Sequence, residues 1–273
     1  MPHQDAKKQK PIVLTIAGSD SGGGAGIQAD IKAISATGGY ACSVITALTA
    51  QNTQGVTAVH PTPQAMIQAQ LDAVFSDLSV SAVKVGMLGD SETIRTVAAA
   101  LRRYRPAHLV VDPVMVTANG DMLLAEEAVN CLREELLPLA DVITPNLPEA
   151  AALLGAALPK RLDEVESLFT GLGQLDCAAV LLKGGFLQQE SRSPDWLLSD
   201  NQVRCFDTPR VMTGNTHGTG CTLSAALACY LGQGFNMEEA VARAKRYIDQ
   251  AILAGSCLRI GQGRGPVEHF FAF

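Results

Sequence analysis

The chain has 273 residues, a formal charge of -6 and a 47% hydrophobic content. That length and apolar content suit one large α/β domain with a substantial core, and they exclude a disordered chain. The acidic balance without a basic cluster argues against a nucleic-acid partner, and no apolar run is long enough to span a bilayer.

Residues 1–10 are polar and basic, lack the apolar centre of a signal peptide, and read as a flexible tail ahead of a single domain over 11–273. The seven cysteines (Cys42, Cys131, Cys177, Cys205, Cys221, Cys229 and Cys257) are scattered and never form a Cys-x-x-Cys pair. This excludes the usual zinc spacings and fits a reducing, cytoplasmic location.

In chain order, Ile12 to Ala17 is an apolar, β-prone run that ends in the glycine loop Gly18 to Gly26. A helix follows, with Ile27, Ile31 and Ile34 on one face and Gly38-Gly39 as its stop. The glycine spacing does not match a dinucleotide fingerprint, and no Walker lysine is present. Close backbone approach to a ligand and a plain strand-to-helix turn therefore both remain open for this loop. Cys42 to Leu48 is a second buried run leading into Thr49-Ala50-Gln51. Thr62 is expected to cap a helix through Phe75, with Pro63 in its first turn. A strand from Ala82 to Val85 is followed by a helix that Ser91 caps. The strand His108 to Val111 ends in Asp112-Pro113, and a helix over about Ala125 to Leu137 precedes the strand Asp141 to Ile143. Thr144 to Glu149 then opens a helix that stops at Gly155. The apolar strand Ala178 to Leu182 runs into Lys183-Gly184-Gly185. Trp196 to Ser199 and Val203 to Phe206, joined by Asp200-Asn201, form a predicted β-hairpin. Strand and helix otherwise alternate, which predicts a mostly parallel sheet covered on both faces, with an antiparallel extension at one edge.

The stretch Asn215 to Cys221 stands out. Gly218 and Gly220 run into a helix whose residues Leu223, Ala226, Leu227, Tyr230 and Leu231 share one face. The first amides of a helix lack intrahelical acceptors and carry partial positive charge, so a glycine turn there suits an anion. Cys221 lies at the same positive end, where a thiol is expected to lose its proton more easily than in water. The plain alternative is a helix entered through a glycine turn, with Cys221 as a small buried hydrophobe.

Ligands of open α/β sheets bind beyond the carboxyl ends of the strands. Asp20, Gln51, Asp112, Asn146, Glu149 and Lys183 all gather there. Each has a structural alternative: Asp112 as a turn initiator, Asn146 with Glu149 as a helix-capping box, Lys183 as a solvated strand end. Taken jointly, two carboxylates, a lysine and an anion-binding helix start suit phosphoryl transfer. Asp112 and Glu149 are then candidates to hold Mg²⁺, Lys183 and the Gly218 to Gly220 amides to hold phosphates, and Cys221 to accept a proton.

Several stretches in one order resemble the bacterial hydroxymethylpyrimidine/phosphomethylpyrimidine kinases of thiamine synthesis. They are Ile16 to Asp30, Thr46 to Thr53, Val85 to Leu88, Asp112 to Met115, Thr144 to Ala150, Leu182 to Gly185, Asn215 to Thr222 and Gly265 to Phe270. The resemblance implies a ribokinase-like three-layer α/β/α fold, ATP and Mg²⁺, and a homodimer. It implies phosphorylation of 4-amino-5-hydroxymethyl-2-methylpyrimidine and then of its monophosphate. It assigns Gln51, Ala25, Asp30, Met87 and Val114 to the substrate, and Asn146, Lys183, Thr216, Gly218 and Gly220 to ATP. Asp112 and Glu149 go to the metal, and Cys221 with Gly218, Thr219 and Gly220 to catalysis. A carboxamide at Gln51 offers a donor beside an acceptor, matching a ring nitrogen next to an amino group. The sequence departs from the family at Phe186, where histidine is frequent, and at Thr49, where an aliphatic residue is common. A pyridoxal kinase is the nearest rival reading, and a non-catalytic pyrimidine-binding protein a more distant one.

Overall fold

The computed structural model describes residues 10–115, 126–187 and 189–273. Most of the expected tail, and the predicted helix start at Ala125, lie outside them. The chain runs β1 (Ile12–Asp20), α1 (Gly26–Ala36), β2 (Tyr40–Asn52), β3 (Gly55–Pro61), α2 (Gln64–Asp77), β4 (Val80–Val85), α3 (Ser91–Tyr104), β5 (Leu109–Val111) and α4 (Glu126–Cys131). It continues with β6 (Val142–Ile143), α5 (Leu147–Leu154), α6 (Phe169–Leu172), β7 (Ala179–Lys183), β8 (Asp195–Ser199), β9 (Gln202–Phe206), α7 (Thr219–Gly232) and α8 (Met237–Gly255). One nine-stranded sheet has the order β3-β2-β1-β4-β5-β6-β7-β8-β9. The six strands from β2 across to β7 pair in parallel, and β3, β8 and β9 add antiparallel neighbours.

The antiparallel extension is thus present at both edges, not one. The β8–β9 hairpin turns through Asp200 and Asn201 at φ 49° and 57°, as a two-residue turn of this hand requires. At the other edge β3 escaped the sequence reading because most of its residues face solvent, leaving no apolar alternation to detect.

Neighbouring residues of the inner strands point to opposite faces, and both faces are buried. Leu14, Ile16, Val83, Val85 and Leu182 join a core with α2, α3 and α5, while Val13, Ala82, Val110, Ala179 and Leu181 join a second core with α1, α7 and α8. In α7 every residue from Thr222 to Cys229 is buried. A helix apolar nearly all round must be enclosed, and α7 sits between the sheet and its neighbours α1 and α8. Its start is therefore fixed against the carboxyl ends of the central strands.

Two caps differ from expectation. Pro63 occupies the cap position of α2, because the Thr62 amide donates to the Thr46 carbonyl and keeps Thr62 in register with β2. Asp90, not Ser91, caps α3, its Oδ1 accepting the Thr93 amide at 2.7 Å. Ile31, expected inward, is partly exposed on α1. Asp90 is exposed and does not line the cleft described below, so Asp90→Ala is expected to lower stability by about 1 kcal/mol, read by urea unfolding, with no change in ligand binding.

Candidate active site

The carboxyl ends of β1, β2, β5, β6 and β7 and the start of α7 enclose one cavity of about 950 Å³. Its wall includes Ala25, Gln51, Met87, Asp112, Val114, Asn146, Glu149, Lys183, Thr216, Gly218, Thr219, Gly220 and Cys221. The site residues expected from the sequence are thus together, with one exception.

Asp30 is that exception. Its side chain is sealed on α1, where both oxygens accept from Lys84 Nζ at 2.8–2.9 Å and one accepts from Thr15 Oγ1 at 2.5 Å. Neither partner has any exposed surface, so Asp30 makes no direct contact with a molecule in the cavity. Lys84 itself is a residue the sequence reading passed over, although a lone lysine inside the apolar strand Val80–Val85 was visible. Its ammonium acts on both Cys221 and Asp112, and a Cβ on Gly86 would stand 2.7 Å from Nζ.

The two glycine loops meet directly. Gly218 caps α7 at φ 78°, and a Cβ there would overlap the carbonyl oxygen of Gly24. A Cβ on Gly24 would in turn strike the His217 ring. Only glycine allows this approach. No side chain caps α7, and the Thr219 amide makes only a long bond of 3.4 Å to the Thr216 carbonyl, so the helix start can receive a ligand. The loop after β1 is different. Asp20 Oδ1 accepts the Gly22 amide, and Oδ2 accepts those of Gly24 and Ala25 at 3.0 and 2.8 Å. The chain's own carboxylate fills the amide nest that a phosphate would occupy in a phosphate loop. Burial works against charge on Asp20, but the hydrogen bond from His217 and the loop amides outweigh it and hold the carboxyl below its usual range.

Across the cleft, Lys183 Nζ donates to Asp112 Oδ1 at 2.7 Å, and Thr144 Oγ1 donates to the same oxygen at 3.0 Å. Burial opposes charge on Asp112, yet the Lys183 and Lys84 ammoniums keep its carboxyl below the ordinary value. Gly220 leaves room for this pair: a Cβ there would lie 3.3 Å from Lys183 Nζ and 3.5 Å from Asp112 Oδ2. Asn146 and Glu149 do form a capping box on α5, with Asn146 Oδ1 accepting the Glu149 amide and Glu149 Oε2 accepting the Asn146 amide. Burial pushes the Glu149 carboxyl up to about 7, against the pull of Lys183.

The thiol of Cys221 departs from expectation. Burial pushes it up to about 11, with the Lys84 ammonium as the largest opposing influence and the Gly26 amide a smaller one. Desolvation outweighs the Lys84 ammonium and the Gly26 amide and holds the thiol above its ordinary value.

Other positioning groups escaped the sequence reading. Asp195 Oδ1 accepts the Gly184 amide and pairs through Oδ2 with Lys245 of α8, which fixes the turn after Lys183. Asn215 Nδ2 donates to the carbonyls of Gly255 and Leu258, tying the α7 entry loop to the end of α8. Among the described residues, no group of three or more His, Cys, Asp or Glu side chains is placed to cage a metal.

A model of the family described as phosphomethylpyrimidine kinase matches residues 20–268. The chain is 49% identical to a hydroxymethylpyrimidine/phosphomethylpyrimidine kinase of Escherichia coli (strain K12), over 95% of this chain and 97% of that one. A crystal structure of phosphomethylpyrimidine kinase from Clostridium difficile 630 is 44% identical, with a TM-score of 0.78 over 89% of this chain and all of that one. An ADP complex of Bacillus subtilis pyridoxal kinase superposes with a TM-score of 0.88 at 34% identity, over 96% of this chain and 98% of that one.

The raised Glu149 carboxyl makes a signed prediction. The folded state holds this proton more tightly than the unfolded chain, whose value is near 4.5. Its contribution to stability is complete below about pH 4.5 and is lost as pH rises through about 7. Glu149→Gln, whatever its constant cost to the cap, should gain stability relative to the unmodified protein between pH 5 and pH 8. Parallel urea unfolding curves across that range would contradict the assignment.

Proposed function

The chain belongs to the phosphomethylpyrimidine kinase family, and we propose that this cavity is the site of two ATP-dependent phosphorylations in thiamine biosynthesis. The first acts on the hydroxymethyl oxygen of 4-amino-5-hydroxymethyl-2-methylpyrimidine, and the second converts the monophosphate to the diphosphate. One observation carries the reading: the uncapped start of α7, Lys183 and the carboxylates of Asp112 and Glu149 share a cavity wall with Gln51 and Cys221.

Ala25, Met87 and Val114 line the ring pocket, and Gln51 reads the aminopyrimidine edge. The amides of Gly218, Thr219 and Gly220 face charge that develops on the transferring phosphoryl group. Lys183, Asn146 and Thr216 hold the triphosphate. Two neighbouring carboxylates beside a lysine fit Mg²⁺ of the water-rich kind, which takes one or two carboxylates plus substrate phosphates and needs no protein cage. Asp112 and Glu149 would hold it, largely through its waters, and when bound it supplies charge neutralisation on the phosphates.

As its thiolate, formed when the thiol first releases its own proton to solvent, Cys221 accepts the alcohol proton while the oxygen attacks phosphorus. A thiol raised to about 11 gives a thiolate only at high pH, so proton movement is late and positioning supplies most of the rate. In the second step the acceptor is already an ionised phosphate, and Cys221 has no proton to remove. Cys221→Ala should therefore lower kcat for the alcohol by about 10² to 10⁴ and spare the monophosphate, with the KM for ATP unchanged. Equal losses on both acceptors would end the proton-acceptor role. Gln51→Ala should raise the pyrimidine KM at least about tenfold and leave the ATP KM alone.

Pyridoxal is the competing acceptor, because a pyridoxal kinase shares this fold closely. Phosphorylation assays on the pyrimidine alcohol, its monophosphate and pyridoxal, run side by side, test the reading; turnover of pyridoxal alone would reverse it. The same reading places the enzyme in the reducing cytosol, in keeping with seven free cysteines, and makes it a homodimer.

A further inference from the structure

The two ends of the Gln51 carboxamide have the same shape, so hydrogen-bond partners decide which is oxygen and which is nitrogen. The end placed as Oε1 lies 3.1 Å from Thr49 Oγ1, and the end placed as Nε2 lies 3.5 Å from His217 Nε2. Thr49 has one hydroxyl proton. Its Oγ1 also stands 2.8 Å from the backbone oxygen of Ser19, a group that only accepts, so the proton goes there. What Thr49 offers Gln51 is then a lone pair, and it calls for an N–H.

The other end gives the same answer independently. His217 Nε2 lies 2.9 Å from Asp20 Oδ2, which already gathers the amides of Gly24 and Ala25 as an ionised acceptor. Nε2 therefore carries a proton. An amide NH₂ facing it would set donor against donor, whereas a carbonyl oxygen shares that proton.

We propose that Thr49 and His217 are positioning residues that fix the Gln51 carboxamide with its NH₂ on Thr49 and its oxygen on His217. The chain of donors then runs from His217 to the Gln51 oxygen and from the Gln51 nitrogen through Thr49 to Ser19. One N–H and one oxygen lone pair of Gln51 remain for a molecule in the cavity, in a fixed order. An amidine edge, with a ring nitrogen beside an amino group, meets that order in one orientation of the ring, which sets the side on which its hydroxymethyl group lies. A carboxamide free to flip would accept the ring either way round. Thr49 is thus a specificity residue for the 4-amino group, in a position where an aliphatic side chain could not choose between the two ends.

This inference rests on Gln51 reading the substrate. The test compares kcat/KM for the 4-amino pyrimidine alcohol with that for the same alcohol lacking the amino group. In Thr49→Val the preference for the amino substrate should shrink roughly three- to tenfold, the worth of one neutral hydrogen bond, with the ATP KM unchanged. Thr49→Ser should restore it, and a loss of stability alone would lower both substrates together. In the unmodified protein, the Gln51 side-chain amide protons should show nuclear Overhauser contacts to the Thr49 side chain. An unchanged preference in Thr49→Val, or amide contacts to the His217 ring instead, overturns the proposal while an effective Gln51→Ala leaves the reading of Gln51 standing. If Gln51→Ala leaves both KM values alone, that reading fails and the proposal goes with it.

Discussion

The close approach of Gly218 to the Gly24 carbonyl is the constraint from which the site follows. Two backbones meet with no side chain between them: a Cβ on Gly218 would force them apart, and one on Gly24 would displace the His217 ring. That contact sets the start of α7 against the loop after β1, brings the Gly26 amide to Cys221 and lays the His217 ring on Gly24. The buried length of α7 between α1, α8 and the sheet holds the contact rigidly. A helix start exposed to a cleft leaves amides without intrahelical partners, and here no side chain caps them.

Around this contact the molecule concentrates buried charge. Lys84 with Asp30 and Lys183 with Asp112 are both nearly or wholly inaccessible, and Glu149 is buried beside the second pair. Such pairs are poor sources of stability, because desolvation offsets most of their attraction. Their effect is on the field inside the cavity: two ammoniums hold Asp112 ionised and oppose the burial that keeps Cys221 protonated. A site that must accept a polyanion gains from cations already stripped of water and held in place.

The glycine loop after β1 and the one before α7 look alike as sequence, yet their amides do opposite things. In the first, Asp20 collects them and the loop becomes a closed structural unit. In the second, no carboxylate is near enough in sequence to do so, and the amides stay open. The presence of Asp20 two residues before Gly22 was a readable sign of this. The clasp with His217, which arrives from the far end of the chain, was not.

Local chemistry in the sequence determined much here. The inner strands announced themselves as apolar runs because both sheet faces are covered, the hairpin through Asp200-Asn201 because its turn needs positive φ, and the α5 cap because Asn146 and Glu149 have capping-box spacing. Thirteen of the fourteen residues that the order of motifs assigned to a site line one cavity wall. What only the tertiary structure decided were quantities that depend on distant partners. The exposed edge strand β3 carries no apolar pattern, since pairing with β2 is its main support. Asp30 turned from a substrate contact into half of a sealed ion pair because Lys84 comes from another strand. The Cys221 thiol, read from its helix start as acidic, is raised because burial is set by everything packed around it, and desolvation is a property of the fold rather than of neighbours in sequence.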